Sequence, residues 1–288
     1  MRTEIKYGLV VEGGGMKCAY NAAILDRFLD EGITFDYCIG VSAGSGNLVS
    51  YLAGQRGRNL RFFTEHIHDP EYFGLRSLLK TGDLFGIQHI YGDLTRADGK
   101  DPLDFPAFLN NPTEYEAEVT NALTGRPEYF GKEAMKQDDY RLIMASSAIP
   151  AVCHPVELNG VPYFDGGLTD AIPVRRALEK GCDRLVVILS KNRDYVKKPQ
   201  GMRPLYRLAC RRYPRIVEAL NRRHTVYNQN FQEVFALEQA GTAFVLAPSE
   251  PLHVGTYSMK EEAERALYDL GLQVFAAQKE NLQNFLSA

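Results

Sequence analysis

A serine at the predicted junction of a strand and a helix is the residue best suited to do chemistry. Ser42 lies in Gly40-Val41-Ser42-Ala43-Gly44, which fits the pattern G-x-S-x-G. A strand that turns at once into a helix strains the corner residue, and glycines on both sides avoid a Cβ clash between the two arms. The hydroxyl then lies at a helix N-terminus, where developing negative charge is favoured. The pattern predicts a nucleophile, and it also fits an ordinary turn in which serine is the helix N-cap.

Three successive glycines follow the first predicted strand. Gly13, Gly14 and Gly15 allow backbone N–H groups to point at one place, where they could hold a phosphate or an acyl oxyanion. A dinucleotide-binding loop is disfavoured because Cys18 stands where a third glycine or alanine belongs and the acidic residue expected about 20 positions later is absent. A P-loop is disfavoured because its Gly-Lys-Ser/Thr ending is missing. We favour an oxyanion hole, since the predicted nucleophile comes from the neighbouring strand.

An aspartate followed by two glycines is the third candidate. Asp165-Gly166-Gly167 follows a short strand-like run, and it fits a β-turn as well as a carboxylate presented at the end of a sheet. With an ordinary pKa near ~3.9, an aspartate is a poor base for a serine hydroxyl. A buried, apolar setting would raise that pKa, and the neighbouring Tyr163 and Phe164 are compatible with such a setting.

An orthodox catalytic triad would need a histidine. None of the six histidines lies in a recognisable motif, and His154, shortly before Asp165, is the best placed to compete. Asp170 is a rival carboxylate, but its position before Pro173 predicts a helix cap instead. The six histidines are His66, His68, His89, His154, His224 and His253.

Together these segments resemble the patatin-like phospholipase family, which includes cytosolic phospholipases with the same dyad chemistry. The resemblance covers most of residues 5–190 in the family's order of glycine-rich loop, G-x-S-x-G and D-G-G. Residues 145–150 (ASSAIP) are similar to the family segment that precedes D-G-G. One departure is Cys18, where the family's loop often ends in glycine. Beyond about residue 191 the chain resembles bacterial members only loosely.

The resemblance implies an active site, residue by residue. Ser42 would be the nucleophile and Asp165 the other half of a Ser-Asp dyad. The N–H groups of Gly14 and Gly15 would line the oxyanion hole. Lys17 corresponds to a basic position that approaches the lipid phosphate in the cytosolic relatives.

The activity implied is that of a serine lipid acyl hydrolase, similar to phospholipase A or lysophospholipase. It would act on a lipid ester through an acyl-enzyme intermediate, with neither a cofactor nor a metal. The alternative is a non-hydrolytic binding or regulatory protein that holds an anion at the glycine-rich loop. A nucleotide-binding protein is a third hypothesis, and the missing P-loop ending argues against it.

The segments around these residues indicate an α/β fold, a three-layer sandwich with a mainly parallel central sheet, as in patatin. Short runs that are apolar on both faces alternate with segments of helical period. Strands are predicted at residues 7–12, 37–41, 184–190 and 242–247, and a hairpin at 115–123 and 127–130. Helices are predicted at residues 17–31, 43–53 and 215–239, with another opened by a capping box at Ser258.

Composition narrows the class of protein. Of the 288 residues, 45% are hydrophobic and 24% charged, which excludes a disordered or fibrous chain. No apolar run approaches the ~20 residues that span a bilayer, and the first residues do not suit a signal peptide. Five scattered cysteines suggest neither a disulfide framework nor a zinc site, so we expect a cytoplasmic protein. We expect one domain over residues 1–288, with a less regular insertion at about 66–137.

A basic segment follows the last motif. Residues 191–223 contain eleven Lys or Arg and only two acidic residues, in a chain of net charge −3. Interleaved tyrosines and leucines fit peripheral contact with an anionic membrane, at the inner surface, and a solvated basic face fits equally well. Pro204 and Pro214 would break a long amphipathic helix there. We expect no nucleic-acid partner, and the sequence does not reveal the oligomeric state.

Overall fold

The structure is a computed structural model that describes residues 5–251, 255 and 259–287. Within these residues, eight strands form one mixed sheet, and helices cover both of its faces. The strands are β1 (Tyr7–Val11), β2 (Tyr37–Val41), β3 (Glu114–Asn121), β4 (Pro127–Gly131), β5 (Val156–Leu158), β6 (Val161–Asp165), β7 (Arg184–Ile188) and β8 (Ala243–Leu246). The α-helices are α1 (Ala19–Asp30), α2 (Ala43–Leu52), α3 (Arg58–Thr64), α4 (Leu75–Thr81), α5 (Phe105–Asn110), α6 (Arg141–Ser146), α7 (Val174–Glu179), α8 (Arg203–Ala209), α9 (Pro214–Gln239) and α10 (Glu261–Ser287).

The sheet is parallel through its middle and antiparallel at one end. Its order is β5-β6-β3-β2-β1-β7-β8, with β4 paired to β3 outside this path. The neighbouring pairs from β3 to β8 are all parallel. Both β4 and β6 run antiparallel to β3, and β5 runs antiparallel to β6. The predicted α/β sandwich is confirmed.

The central strand β1 shows why its sequence is apolar throughout. Leu9 and Val11 belong to a core cluster with residues of α1, α2 and α10. Val10, between them, belongs to a second cluster with residues of α7 and α9. Successive side chains of a strand point to opposite faces, so a strand with helices on both faces buries every residue.

One edge of β3 carries two strands end to end. β2 pairs with residues 114–118 of β3, and β6 pairs with residues 119–121. Because β4 overlaps both stretches, it must occupy the opposite edge. β2 is parallel to β3 and β6 is antiparallel, so the carboxyl ends of β2 and β6 face each other. The residue after β2, Ser42, therefore meets the last residue of β6, Asp165.

The predicted strands, the hairpin and the three bounded helices agree with the structure to within two residues at each end. The second half of the interval 66–137 contains the predicted hairpin, and its first arm, β3, lies inside the sheet between β4 on one edge and β2 with β6 on the other. β3 carries acidic residues that the folded protein buries. Glu116 is buried against Arg176, with Nε–Oε2 and NH2–Oε1 distances of 2.8 Å each, and Glu118 is fully buried.

The prediction for Asp170 was wrong. Helix α7 begins at Val174 with Pro173 in the N-cap position, so Asp170 lies too early to cap it. Its Oδ2 instead accepts a hydrogen bond from the Tyr129 hydroxyl at 2.7 Å. Helix α10 begins at Glu261, whereas the predicted capping residue Ser258 lies outside the described residues.

Among the described residues, no helix combines the length and the apolar character that crossing a bilayer requires. The five cysteines are buried and none is paired with another. Pro204 and Pro214 each lie in the first turn of a separate helix, α8 and α9, so the basic segment is interrupted as predicted.

Candidate active site

Ser42 occupies a strained turn between β2 and α2. Its φ of 54° and ψ of −133° lie where few residues other than glycine are found. The turn is tight because α2 packs directly beneath β1. A Cβ atom on Gly44 would lie 2.6 Å from the carbonyl oxygen of Val11, and one on Gly40 would lie 2.7 Å from the backbone of Ser45. Both motif glycines are therefore required by close backbone approach, as the sequence predicted.

The hydroxyl of Ser42 is directed at Asp165 and does not cap the helix. Ser42 is in the N-cap position of α2, but its side chain makes no capping hydrogen bond. Its Oγ donates to Oδ2 of Asp165 at 2.7 Å, across 123 positions of sequence. Ser42 is 7% exposed and Asp165 is 3% exposed. The structure thus brings the two predicted site residues into contact and leaves the N-cap interpretation unsupported.

Asp165 also forms the turn that its two glycines suggested. Its Oδ1 accepts the backbone N–H of Gly167 at 2.7 Å, so one carboxylate oxygen fixes the turn and the other faces Ser42. Gly166 packs against the carboxyl group of Glu118, where no side chain could fit. Both glycines of the motif therefore lie within the wall that holds the carboxylate.

Burial raises the pKa of Asp165 above its ordinary value. The positive charge of Arg223 and the hydrogen bonds from Ser42 and Gly167 oppose that rise. A carboxylate with a raised pKa is a stronger base than an exposed one, which is what abstraction of a serine proton requires. The burial anticipated from the sequence is therefore present.

Ser146 anchors the turn from the other side. The backbone N–H of Ser42 donates to Oγ of Ser146 at 2.8 Å, and this Oγ donates to the carbonyl oxygen of Glu118 at 2.7 Å. The nucleophile turn is thereby tied to β3, which also carries β6. The sequence placed Ser146 in a segment similar to the family's, but no feature of that segment predicted this contact.

Glu118 is a buried acid close beneath the site. Its Oε1 accepts a hydrogen bond from the Thr169 hydroxyl at 3.0 Å, and its Oε2 has no partner among the described residues. Burial, with the nearby charges of Asp170 and Asp165, raises the pKa of Glu118 well above its ordinary value. Both causes act against the charged form of the Glu118 carboxyl group.

The glycine-rich loop lies against the end of β2. A Cβ atom on Gly13 would lie 2.6 Å from the carbonyl oxygen of Val41, so the loop and the nucleophile turn are in close contact. The carbonyl oxygen of Gly13 accepts a hydrogen bond from the Ser190 hydroxyl at 2.7 Å. Within the described part of the chain, the N–H groups of Gly14 and Gly15 donate to no other residue. Two amides therefore remain available next to the serine.

These groups open into a cavity of about 510 Å³. Its lining includes Ser42, Asp165 and the glycine-rich loop, and Lys17 lies on it as well. Much of the remaining lining comes from residues 191–227. A second cavity of only about 20 Å³ adjoins Ser42 and is lined mainly by apolar and aromatic side chains, including Phe63. It has room for about one small group, so a long chain must extend into the larger cavity.

The basic segment divides into inward and outward residues. Lys191, Lys197 and Arg223 line the large cavity, which their sequence did not predict. Two other arginines form ion pairs, Arg193 with Glu238 and Arg215 with Glu218. The remaining six cations are exposed: Lys198, Arg203, Arg207, Arg211, Arg212 and Arg222.

The histidines lie elsewhere. His154 is paired with Asp83, with Nδ1 2.7 Å from Oδ1, and its side chain is 72% exposed. No histidine lines the large cavity, as far as the described residues extend. Within the same residues, no group of three or more His, Cys, Asp or Glu side chains is placed to hold a metal ion. Within the described residues, the titratable side chain that contacts the Ser42 hydroxyl is the carboxylate of Asp165.

Comparison with known proteins agrees with these observations. A family model described as patatin-like phospholipase matches residues 9–178, and a domain of unknown function, DUF6363, matches residues 213–287. The uncharacterized protein YjjU of Escherichia coli strain K12 is 28% identical over 270 residues, covering 92% of this chain and 75% of YjjU. The crystal structure of VipD from Legionella pneumophila aligns with a TM-score of 0.45 and 11% identity, over 95% of this chain and 67% of VipD. The patatin-like match spans more than half of the sequence and contains Ser42 and Asp165, and the chain therefore belongs to the patatin-like phospholipase family.

Proposed function

We propose that this protein is a serine lipid acyl hydrolase of the phospholipase A or lysophospholipase type, with Ser42 and Asp165 as its catalytic dyad. The observation that carries the proposal is the 2.7 Å hydrogen bond from the Ser42 hydroxyl to the buried Asp165 carboxylate. The family match supports a lipid ester as substrate. Apolar side chains on the cavity lining, among them Leu84 and Leu205, support it further.

The reaction follows from the positions of these groups. Ser42 Oγ bonds to the ester carbonyl carbon while its proton passes to Asp165. The amides of Gly14 and Gly15 stabilise the oxyanion, and loss of one such donor typically costs about 2.7–4 kcal/mol. The C–O bond to the alcohol then breaks, and the alcohol oxygen takes the proton from Asp165. Water attacks the acyl-enzyme, gives a proton to Asp165, and the acid leaves as that proton returns to Ser42.

We also propose that the outer face of the basic segment contacts an anionic membrane. Helix α8 exposes Leu205 and Leu208, which are 53% and 65% exposed, beside the exposed Arg207. Leu205 lines the large cavity too, so the proposed contact surface lies at its mouth. Such a surface would bring the cavity to lipid, with each basic residue contributing about 1 kcal/mol.

A fluorophosphonate probe with a short-chain ester assay tests the hydrolase proposal. We expect labelling of the wild type and none of Ser42→Ala, and we expect Asp165→Asn to lower turnover by about 10²–10⁴-fold because it removes the base. Asp170→Asn and His154→Ala are matched controls, which should retain both labelling and turnover.

Two results would contradict the dyad. The folded wild type could resist labelling at Ser42, which would favour the alternative of a binding protein with an anion at its glycine-rich loop. Alternatively, His154→Ala could abolish turnover while Asp165→Asn retains it, which would assign the base to histidine.

A further inference from the structure

The charge of the large cavity is unbalanced. Its cationic lining residues are Lys17, Lys191, Lys197 and Arg223, and its acidic ones are Glu12 and Asp165. The described lining therefore carries two more positive than negative groups next to the nucleophile. An unpaired charge away from water is costly, so an arrangement of this kind favours an anionic ligand.

Both carboxylate oxygens of Glu12 accept hydrogen bonds within the protein, so Glu12 neutralises the cations of the cavity only in part. Its Oε2 accepts the backbone N–H of Ser190 at 2.6 Å, and its Oε1 accepts the Tyr227 hydroxyl at 2.8 Å. It lies 3.8 Å from Lys191 Nζ, and it is 2% exposed. Within the described residues, Lys191 is the only one of the four cations within ion-pair distance of Glu12, although the charge of Glu12 also favours the protonated forms of Lys17 and Lys197.

Hydrogen bonds to the backbone of Lys197 fix its position, and no acidic side chain among the described residues pairs with its ammonium. Its N–H donates to Asn228 Oδ1 at 2.9 Å, and Asn228 Nδ2 donates back to its carbonyl oxygen at 3.1 Å. Its ammonium lies 5.0 Å from the centroid of the Tyr227 ring, and among the described residues it forms no ion pair. Burial and the like charges of Arg223 and Lys191 lower its pKa to about 7. A bound anion would reverse that effect.

Lys17 and Lys191 bracket the glycine-rich loop. A Cβ atom on Gly14 would lie 3.3 Å from Lys191 Nζ, so this ammonium is adjacent to the free amides. The Lys17 ammonium forms no hydrogen bond or ion pair with another described residue, and burial together with the charge of Lys191 lowers its pKa. Arg223 lies beside the other motif, because its Nε donates to the carbonyl oxygen of Gly167 at 2.9 Å.

We propose that these four cations bind a phosphate monoester on the substrate, so that the enzyme prefers acyl esters of a phosphorylated polyol such as glycerol phosphate. The proposal rests on the hydrolase function proposed above. A phosphate monoester carries about −1.5 to −2 charges at pH 7 and a diester carries one, so the monoester is attracted more strongly to a cluster of cationic side chains. Its three terminal oxygens accept charge-assisted hydrogen bonds, and ammonium and guanidinium groups are the matching donors.

The test compares three substrates with the same acyl chain: monoacylglycerol phosphate, a zwitterionic lysophospholipid with a phosphodiester, and neutral monoacylglycerol. We expect the highest kcat/KM for the monoester. Lys197→Met preserves the length of the side chain and should lower the ratio of monoester to neutral kcat/KM by about 10- to 100-fold, as expected for loss of a charged hydrogen bond. Lys198→Met, the exposed neighbour, should leave that ratio unchanged.

An equal fall for all three substrates in Lys197→Met would overturn the proposal, because it would give Lys197 a purely structural role. A wild type with no preference for the monoester would overturn it as well.

Thermal unfolding with inorganic phosphate separates this proposal from the hydrolase function. We expect phosphate to raise the Tm of Ser42→Ala, which cannot turn over, and to raise it less in Ser42→Ala/Lys197→Met. Absence of any shift in Ser42→Ala would count against the phosphate site even if the wild type hydrolyses esters. If phosphate raised the Tm of Ser42→Ala but the probe did not label the wild type, the phosphate site would be supported and the hydrolase proposal would be contradicted.

Discussion

The motif region and the C-terminal wall contribute to the cavity in different ways. The motif region, residues 9–178, presents Ser42, Asp165 and two free amides, each fixed by main-chain geometry. The C-terminal wall, residues 191–227, presents long cationic side chains such as Lys197. A change in the first region disturbs the backbone of the site, whereas a change in the second alters which charge the cavity accepts. On the two proposals above, the reaction depends on the motif region, whereas the charge of the substrate is selected mainly by the C-terminal wall, with Lys17 as the one cation from the motif region.

The largest effect should come from Gly44→Ala in the motif region. The new Cβ would lie 2.6 Å from the carbonyl oxygen of Val11 and 2.8 Å from that of Glu12, and neither backbone atom can move without displacing β1. We expect destabilisation by about 1–3 kcal/mol and loss of Ser42 labelling, measured by denaturant unfolding and the fluorophosphonate probe. Every substrate should be affected alike.

Gly32→Ala is the matched control for Gly44→Ala. Gly32 has a φ of 64°, but a Cβ there would meet nothing within 4 Å. Strain alone should cost about 1 kcal/mol and leave labelling intact. If Gly44→Ala labelled as well as Gly32→Ala, the close approach of α2 to β1 would not be what shapes the nucleophile turn.

An intermediate effect should come from Arg223→Gln, which lies where the two regions touch. Arg223 bonds to Gly167, and its charge opposes the raised pKa of Asp165. Its loss should raise that pKa further, so a smaller fraction of Asp165 is ionised at a given acidic pH. The acidic limb of kcat/KM for a neutral ester should move to higher pH, and the exposed Arg222→Gln should leave it in place. An unmoved limb in Arg223→Gln would show that the two regions act independently.

The smallest effect on catalysis should come from the outer face of the C-terminal wall. Arg207 and Arg211 are exposed and form no ion pair with described residues. Replacing each by glutamine should weaken binding to anionic vesicles about fivefold, since each contributes about 1 kcal/mol, and should not change turnover of a soluble ester. Arg215→Gln, whose arginine pairs with Glu218, is the control in vesicle sedimentation. If the variant with both Arg207 and Arg211 replaced bound the vesicles as the wild type does, the proposed membrane contact would be wrong.

The motif region could be predicted because its constraints are local. The strand before Ser42 is apolar throughout, and the turn after it requires glycine at fixed positions, so both appear in the sequence itself. The local pattern at Asp165 fitted a β-turn as well, and the resemblance to the family was needed to pair this residue with Ser42.

The remaining features depend on contacts that no local pattern records. In the sequence Asp170 resembles a helix cap, but in the structure its carboxylate accepts a hydrogen bond from Tyr129 of β4. In the sequence Glu118 resembles a surface residue, and it is buried only because the sheet assembles around it. Lys197 and Lys198 are adjacent and chemically identical, yet one lines the cavity and the other faces solvent, because Asn228 fixes the backbone between them.

The arrangement of β2 and β6 along one edge of β3 makes the dyad a reporter of completed folding. The two reactive side chains are 123 residues apart, and each is positioned by its own pairing with β3. Contacts this distant in sequence form late, since loop closure must precede them. A chain still emerging from the ribosome contains Ser42 long before it contains Asp165. On the proposed function, the active site is therefore complete only when both β2 and β6 have paired with β3.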